Sequence, residues 1–317
     1  MHINLVAESF VTRFKEAIGK LSQRNEARLL LAVSGGPDSV ALMLLANAAM
    51  PDRIAAATVD HGLRPEAAAE ADYVATLCAE RAIPHRILRP ELPINGNIQS
   101  EARRARYALL EQAADEADCS LIATAHHADD QLETLLMRLA RGSGVDGMSG
   151  VRPRNGRIIR PLLEFSKSEL EEICKSAGIQ PVVDPSNDDA EFERVAIRQW
   201  LARTQHPFNI ARVTRTATAM QDAGAALLWM TDQLASTRIK KINDEIQCTA
   251  TDLPHELQRR LVLTSLAMLD PDLNPRGDTV ERLVGDLRGG KTTTVGDILC
   301  KGGDVWRFSP APPRRIV

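Results

Sequence analysis

Short apolar runs alternate with helical patterns along the first half of the chain. Four of the runs predict strands, at residues 29–33, 54–59, 85–88 and 120–124. The helical patterns cover residues 40–50, 65–82, 99–117 and 129–141. This alternation predicts an α/β fold in which a parallel sheet carries helices on both faces. Because ligands of such sheets bind beyond the carboxyl ends of the strands, the loops after residues 33, 59 and 124 are the first places to look for chemistry.

The second half of the chain reads mainly as helix. Helices are predicted at residues 166–177, 191–202, 207 to about 234, 254–269 and 278–287, with short β-rich pieces at 292–299 and 305–308. We therefore expect two domains. Residues 1–204 form the α/β domain, and residues 205–317 form a smaller, mainly helical domain with short β pieces at its end.

Composition and charge set the broad class. Of 317 residues, 44% are hydrophobic and 26% charged, which is typical of a globular protein. The formal net charge of -3 rules out a uniformly basic coat for nucleic acid but leaves room for a local basic patch. We find no signal-like apolar segment near the start and no run long enough to cross a bilayer, so we expect a cytoplasmic protein that does not bind a membrane.

The five cysteines are scattered, and none forms a CxxC pair. They stand at positions 78, 119, 174, 248 and 300. This spacing argues against a zinc ribbon, a redox pair and an iron–sulfur cluster held by neighbouring cysteines. It suits thiols that are buried as small apolar side chains in a reducing compartment.

Two glycine-rich motifs lie in the wrong context for nucleotide binding. Residues 285–292 satisfy the Walker A pattern, but a helical segment precedes them and the β-branched run 292–295 follows. Residues 142–147 fit GxGxxG, but they follow a helix instead of a strand. We interpret the first as a glycine turn between a helix and a strand, and Gly142 as the end of a helix.

The loop after the first strand has the composition of an anion-binding loop. It consists of Ser34, Gly35, Gly36, Pro37, Asp38 and Ser39. The two glycines allow the backbone to bring N–H groups close to an anion at the start of the next helix. Asp38 would repel a phosphate unless a magnesium ion lies between them. The alternative is an ordinary capped turn, with Asp38 or Ser39 as the N-cap. The hexapeptide resembles the SGGxDS loop of the N-type ATP pyrophosphatase (PP-loop) superfamily.

Two further loops carry polar residues at the same predicted edge. Asp60 and His61 follow the second strand, although Asp60 could simply cap the next turn. His126 and His127 follow the fourth strand and precede three acids at the start of a helix, namely Asp129, Asp130 and Glu133. These acids could merely complement the helix dipole or join a structural zinc site. Carboxylates without a nearby cysteine favour a hard ion such as magnesium.

Basic charge is concentrated in two arginine clusters. The first contains Arg103, Arg104 and Arg106, beside Tyr107, and the second contains Arg138, Arg141, Arg152, Arg154, Arg157 and Arg160. Either cluster alone could be a solvated surface paired with acids. Together, near a nucleotide loop, they indicate a polyanionic substrate held through its phosphates.

The motifs taken together resemble one family, tRNA(Ile)-lysidine synthetase. The matching stretches are SGGPDS (34–39), VDHGLR (59–64), NIQSEARRARY (97–107), ATAHHADDQLETLLMRLARGSG (123–144), RPLL (160–163) and DPSNDDAEFERVAIR (184–198). The C-terminal third matches more loosely, as a helical domain that contacts tRNA. The chain departs from the family at Val195 and Ala196, where a polar pair is usual. It also ends before the second C-terminal domain that longer members would carry.

The resemblance implies a ligase that joins lysine to C2 of the wobble cytidine of CAU-anticodon tRNA(Ile). ATP would adenylate the cytidine oxygen, the loop 34–39 would hold pyrophosphate and Mg²⁺, and Asp60 and His61 would contact the nucleotide. Asp130 and Glu133 are candidates to orient the lysine ammonium and take its proton, and Asp38 and Asp130 are candidates to hold the metal. His126 would lie near ATP, and Arg198 would stabilise phosphate charge. Candidate tRNA contacts are Arg103, Arg104, Arg106, Arg138, Arg141, Arg152 and Arg154.

Three alternatives stay open at this point. A tRNA thiolase of the same superfamily would want a reactive cysteine near the site, and Cys119 is the only one in that region. A synthetase for a free small molecule would not need the arginine clusters. A tRNA-binding protein with a relic ATP loop would show no turnover. The oligomeric state is also open, and a homodimer is one option.

Overall fold

The computed structural model describes residues 6–22, 26–62, 66–90, 98–182 and 193–312. Parts of three matching stretches, at residues 63–64, 97 and 184–192, lie outside this range. The chain divides into two compact units, Met1–Gln221 and Asp222–Val317. None of the described helices is both long enough and apolar enough to cross a membrane.

A six-stranded sheet forms the centre of the first unit. Its strands are β1 (Leu29–Ala32), β2 (Ile54–Val59), β3 (His85–Leu88), β4 (Leu121–Ala123), β5 (Arg154–Asn155) and β6 (Ile158–Ile159). Their order is β3-β2-β1-β4-β6-β5, and every pairing is parallel except that of β5 with β6. The predicted parallel sheet is therefore confirmed, with one short antiparallel strand at its edge.

The helices of the first unit lie close to the predicted spans. They are α1 (Glu8–Leu21), α2 (Pro37–Ala49), α3 (Glu66–Ala79), α4 (Ile98–Glu116), α5 (Ala128–Ala140), α6 (Val145–Met148), α7 (Lys167–Ser176) and α8 (Glu193–Arg203), and α9 (Ile210–Arg238) begins here. α2 starts three residues before the predicted position because proline is well accommodated in the first helical turn. α1 was not predicted.

Alternate residues of the central strand face two separate cores. Leu29 and Leu31 of β1 pack in the core that includes α2, whereas Leu30 packs in a second core with Leu110 and Ala113 of α4. This alternation follows from the two-residue period of a strand. It confirms helices on both faces of the sheet and leaves the carboxyl edge available for a site.

The division between the units falls inside α9, later than the boundary expected at 204/205. The first part of α9 packs in the first unit, where Ala217 is fully buried and Gln221 Nε2 donates to Ser149 O at 2.7 Å. Helical periodicity alone does not show which unit a long helix packs on. The start of the second functional domain at residue 205 stays a prediction.

The second unit contains a five-stranded antiparallel sheet. Its elements are β7 (Ile239–Ile242), β8 (Glu245–Cys248), α10 (His255–Ala267), α11 (Gly277–Arg288), β9 (Thr292–Val295), β10 (Ile298–Lys301) and β11 (Trp306–Pro310). The order is β7-β8-β11-β10-β9. Trp306 and Phe308 are fully buried in its core with Val284 of α11. The β7–β8 hairpin was not predicted, although Asn243 takes the left-handed conformation (φ 54°) that suits a two-residue turn.

Both rejected glycine motifs lie where their context predicted. Gly290 turns between α11 and β9 with φ +69°, so a helix precedes the motif and a strand follows it. Gly142 follows Arg141, the C-cap of α5, with φ +64°. Neither has the strand–loop–helix order that phosphate loops require.

Candidate active site at the carboxyl edge of the sheet

The carboxyl ends of three adjacent strands bring the predicted loops together. β1 lies between β2 and β4 in a parallel arrangement. The loop 34–39 follows β1, Asp60 follows β2, and His126 follows β4. These loops therefore share one edge of the sheet, as ligand sites of open α/β sheets do.

Hydrogen bonds of the serines shape the loop 34–39. Ser39 Oγ accepts the backbone N–H of Ser34 at 3.1 Å and donates to Gly36 O at 3.0 Å, and the two serine hydroxyls lie 3.2 Å apart. Gly36 is the N-cap of α2, and Pro37 is its first residue. The loop thus ends at a helix N-terminus, whose free N–H groups and dipole favour phosphate.

Gly35 is required by the backbone conformation of this loop. Its φ of +92° is rarely adopted by other residues. A Cβ at this position would lie 3.3 Å from side-chain atoms of both Val74 and Val182. The carbonyl of Gly35 also accepts a hydrogen bond from the Val182 N–H at 2.9 Å, and this bond holds the loop in place.

His127 links this loop to the start of α5. Its Nε2 lies 3.5 Å from Asp38 Oδ2 and 3.7 Å from Asp130 Oδ2, and its Nδ1 lies 3.5 Å from Asp129 Oδ2. Burial alone would lower the pKa of His127, but the surrounding carboxylates raise it to about 10. The side chain is therefore an imidazolium near neutral pH, and it ties three acids together.

The acids at the start of α5 have different local roles. Asp130 Oδ2 accepts the backbone N–H of His127 at 2.9 Å, so its carboxylate caps the start of α5. Asp129 Oδ2 accepts the backbone N–H of Lys167 at 2.8 Å and so fixes the start of α7. Asp130 retains a second oxygen for a ligand, whereas Asp129 serves the scaffold.

Asp38 and Asp130 provide a donor set that suits magnesium. Asp38 Oδ1 is buried and has no hydrogen-bond partner among the described residues, and both carboxylates flank the same imidazolium. In the described part of the chain, no three His, Cys, Asp or Glu side chains converge as an all-protein metal site. Mg²⁺ usually takes one or two carboxylates and completes its shell with phosphate and water, so these residues fit a metal that arrives with the nucleotide.

Asp60 shapes the loop in which it lies. Its Oδ1 accepts the Gly62 N–H at 2.9 Å, and its Oδ2 accepts Arg89 Nε at 3.0 Å. The Gly62 bond is the main reason that the pKa of Asp60 is lowered, and burial opposes it. Asp60 therefore stabilises the turn after β2, and its contact with the nucleotide stays a prediction. His61 follows it, and burial lowers the pKa of that side chain.

His126 lies in a different environment from its neighbour. Its Nδ1 is 3.0 Å from Thr124 Oγ1. Burial, opposed by Asp130 and assisted by the arginines around the site, lowers its pKa to about 4. His126 is therefore neutral near pH 7 and offers a hydrogen bond without a charge.

The carboxylate of Glu133 is held by arginines of α8. Arg198 donates Nε to Glu133 Oε1 at 2.8 Å and Nη2 to Glu133 Oε2 at 3.0 Å. Arg194 lies 3.7 Å from the same carboxylate, which is only 4% exposed. Both oxygens of Glu133 therefore hold guanidinium groups, and the expectation that Glu133 takes a proton from lysine stays a prediction.

The arginine clusters divide into surface and scaffold residues. Arg103, Arg104, Arg138, Arg141 and Arg152 are exposed. Arg104 pairs with Glu101, and Arg141 pairs with Glu193.

Arg106 and Arg154 are less exposed than these five arginines. Arg106 is half-buried, and burial lowers its pKa. Arg154 donates to the carbonyls of Leu21 and Gly156, both at 2.9 Å. The guanidinium of Arg154 thus holds the backbone of the fold, and its contact with tRNA stays a prediction.

The two departures from the family pattern differ in burial. Val195 is buried in α8 at 8% exposure, whereas Ala196 is exposed. The contacts of Arg194 and Arg198, on the same helix, are made despite these replacements.

The cysteines are buried, as predicted. All five are free and buried. Burial raises the pKa of Cys119, the residue that a thiolase would have used, and its Sγ contacts Ala117 O at 3.6 Å inside the second core. Cys174 lies below the loop 34–39, where its thiol donates to Pro37 O at 3.3 Å, and burial raises its pKa to about 12. These thiols serve as packing groups.

Comparisons with known proteins agree with this geometry. A family model described as a PP-loop domain matches residues 6–205. A tRNA(Ile)-lysidine synthase of Zymomonas mobilis subsp. mobilis is 41% identical over 312 residues, covering 95% of this chain and 94% of that protein. A protein of the same description from Novosphingobium aromaticivorans is 41% identical over 300 residues, covering 91% of this chain and 90% of that protein.

A solved structure shares the fold at lower identity. It is the U34-tRNA thiolase NcsA from Methanococcus maripaludis, determined with its 4Fe-4S cluster. The TM-score is 0.53 at 19% identity, and the match covers 68% of this chain and 80% of that chain. The similarity supports the PP-loop fold of the first unit.

Proposed function

The chain belongs to the tRNA(Ile)-lysidine synthase family, and from this premise we propose how its own residues carry out the reaction. The enzyme uses ATP to join lysine to C2 of the wobble cytidine of CAU-anticodon tRNA(Ile), which releases AMP and pyrophosphate. The observation that carries the proposal is the meeting of the loop 34–39, the imidazolium of His127 and the Glu133–Arg198 pair at one sheet edge.

The loop 34–39 binds the phosphates that leave as pyrophosphate. Backbone N–H groups at the start of α2 and the hydroxyl of Ser34 face the anion. Asp38 and Asp130 would hold Mg²⁺, which neutralises phosphate charge when it is bound. The imidazolium of His127 keeps these two carboxylates close together despite their mutual repulsion.

Adenylation makes a poor electrophile reactive. The cytidine O2 attacks the α-phosphorus of ATP, pyrophosphate leaves, and the AMP group on O2 becomes a good leaving group. Arg198 is the candidate to stabilise the developing phosphate charge, because Glu133 holds its guanidinium in a fixed orientation. His126, which is neutral, donates or accepts a hydrogen bond near the nucleotide.

The lysine ε-amine then attacks C2, and AMP leaves. With a pKa near 10.4 the amine is protonated at pH 7, and reaching the free base costs about 4–5 kcal/mol at about 1.36 kcal/mol per pKa unit. Asp130 would orient the ammonium and take its proton with the oxygen that is free of the bond to the His127 N–H, a role that alternates with metal binding by the same oxygen. Because these groups act on the cytidine of a tRNA and on ATP, we place the enzyme in the cytoplasm.

The second unit offers a surface for the tRNA backbone. Its sheet register aligns Lys240 with Gln247, Gln247 with Arg307, and Arg307 with Lys301. All helix-packed residues of these strands, such as Ile246, Phe308 and Cys300, lie on the alternate positions. The row Lys240–Gln247–Arg307–Lys301 therefore crosses the outer face of the sheet, and we refer to it as the basic row. Its three cations match a chain of phosphates, and a phosphate at Arg307 would compete with Glu245, whose Oε1 lies 3.3 Å from Arg307 Nη1.

Release of AMP tests the proposed reaction. The purified protein is incubated with ATP and a CAU-anticodon tRNA(Ile) transcript, and each amino acid is added in turn. We expect AMP only when both the tRNA and lysine are present. AMP that forms with the tRNA and sulfide or glutamine instead of lysine would contradict the proposal.

A further inference from the structure

The pairing of β6 with β4 places Arg160 at the carboxyl edge of the sheet. It directly follows β6, which pairs in parallel with β4 through Ile159 and Ala123. The Thr124 N–H donates to Ile159 O at 3.0 Å, so the two chains continue side by side past the last strand residues. Arg160 thus extends the candidate active site by one strand, beyond the loop that carries His126.

The guanidinium of Arg160 is buried and incompletely paired. The residue is only 7% exposed. Nη1 donates to Arg152 O at 2.6 Å, but Nε is buried with no partner. No carboxylate among the described residues pairs with Arg160. A buried charge without a counter-ion is costly, so an anion that reached Arg160 would relieve an existing desolvation penalty.

No described neighbour of Arg160 forms an ion pair with it, although it makes a hydrogen bond with Tyr107. Tyr107 and Arg103 of α4 lie beside it, and Arg103 stacks over the Tyr107 ring at 5.1 Å from its centroid. Arg160, Arg103 and Arg106 all disfavour the protonated form of His126. Three guanidinium groups therefore act on the same part of the site. Asp130 acts on His126 as well, but among the described residues it forms no ion pair with any of the three arginines.

We propose that Arg160, together with Arg103 and Arg106, binds one phosphate group next to the reacting cytidine. Planar guanidinium groups with several donors match phosphate oxygens, and a cluster of them matches a phosphate better than a single carboxylate. The phosphate belongs either to the tRNA backbone or to ATP. This inference rests on the proposed function, because that function supplies the tRNA and the ATP that carry the phosphate.

One substitution and one control separate a ligand-binding role of Arg160 from a structural role. Arg160→Met removes the charge and retains most of the volume. Arg157→Met is the control, because Arg157 lies three residues earlier and donates to Asp115 Oδ1 and to Cys119 O, both at 2.6 Å. Binding of the CAU-anticodon transcript is measured without ATP, binding of ATP is measured without tRNA, and thermal unfolding is followed for each variant.

We expect Arg160→Met to weaken binding of one of these two ligands by about tenfold or more. The melting temperature should be unchanged or higher, because the substitution removes a buried charge that has no counter-ion. A loss confined to the transcript assigns the phosphate to the RNA, and a loss confined to ATP assigns it to the nucleotide. Arg157→Met should instead lower the melting temperature and leave both affinities within about twofold, as expected of a scaffold residue.

The proposal is overturned if Arg160→Met binds both ligands as the wild type does, or if only the KM for lysine rises. If the methionine variant does not fold, Arg160→Lys retains the charge and replaces the fork of donors by one ammonium. It should still lose affinity for the same ligand, and unchanged affinity would again overturn the proposal. A wild-type protein that binds neither ligand would contradict the proposed function itself.

Discussion

Arg198 of α8 holds both carboxylate oxygens of Glu133 of α5, at 2.8 and 3.0 Å. Hydrogen bonding to Glu133 is the main cause that raises the pKa of Arg198. A bidentate pair with a buried carboxylate fixes the direction of the guanidinium. The pair therefore presents Arg198 to the site as a rigid cation.

Glu133 should act through Arg198. We expect Glu133→Gln and Arg198→Lys each to lower kcat for AMP formation by about 10- to 100-fold, since each leaves the phosphate charge poorly matched. The kcat of the double variant should be no lower than that of the less active single variant, because the two residues act as a unit. Glu193→Gln, which removes the exposed partner of Arg141 between the same helices, should stay within about twofold. Two results together would contradict this role of Glu133. In the double variant the losses of kcat of the two single variants would multiply, and the KM for lysine would rise in Glu133→Gln but not in Arg198→Lys.

Gly35 should not tolerate a side chain. Gly35→Ala combines a positive φ with contacts at 3.3 Å, and we expect a loss of about 1–2 kcal/mol in the free energy of unfolding and weaker ATP binding. Gly19 in α1 is the matched control, because a Cβ there would meet nothing within 4 Å. Gly19→Ala should stabilise the protein by about 0.5–1 kcal/mol. Denaturant unfolding measures both, and equal effects would contradict the account of the loop.

The stability of the first unit should depend on the ionisation of Glu169. This residue completes the capping box of α7 with Ser166 and pairs with Arg13 of α1 at 2.7 Å. Burial opposes ionisation, but the bonds from Arg13 and Ser166 outweigh it, so the pKa of Glu169 is lowered. The stabilisation is therefore fully present above the unfolded pKa, near 4.5, and is lost as the pH falls through the lower folded pKa.

The variant Glu169→Gln tests this dependence. It should cost about 1 kcal/mol at pH 7, and the difference from the wild type should shrink as the pH falls below about 4.5. Glu172→Gln, on the exposed part of the same helix, should change stability by less than about 0.5 kcal/mol. A Glu169→Gln deficit that is constant down to pH 3 would show that the carboxylate charge contributes nothing.

The basic row should bind phosphates. Replacing Lys240, Arg307 and Lys301 by Gln should weaken tRNA binding and reduce the slope of log K against log salt by about 0.7–0.9 for each phosphate that is no longer neutralised. Lys241 alternates with Lys240 on the same strand and aligns with the core residue Ile246, so Lys241→Gln is the control and should leave the slope unchanged. Equal slopes for the triple variant and the wild type would show that this surface does not bind the tRNA.

The sequence could predict the loops at the sheet edge because their signals are local. The glycines of the loop 34–39 and the His126–His127 pair stand directly after strands, and parallel strands bring such loops together. The partners of Asp60 and Glu133 were not predicted, since Arg89 and Arg198 reach them through tertiary contacts. The burial of Arg160 likewise depends on α4 packing beside β6, which an arginine-rich stretch does not reveal.

The modified nucleoside itself gives the most direct test of the central claim. The CAU-anticodon tRNA(Ile) transcript is incubated with ATP, lysine and either wild-type enzyme or the Asp38→Ala variant, and the nucleoside at the wobble position is identified by mass spectrometry. The account predicts that wild-type enzyme increases the mass of this cytidine by one lysine less one water, and that the variant leaves it unchanged. An unmodified cytidine with folded wild-type enzyme, or an adduct at another position, would contradict it.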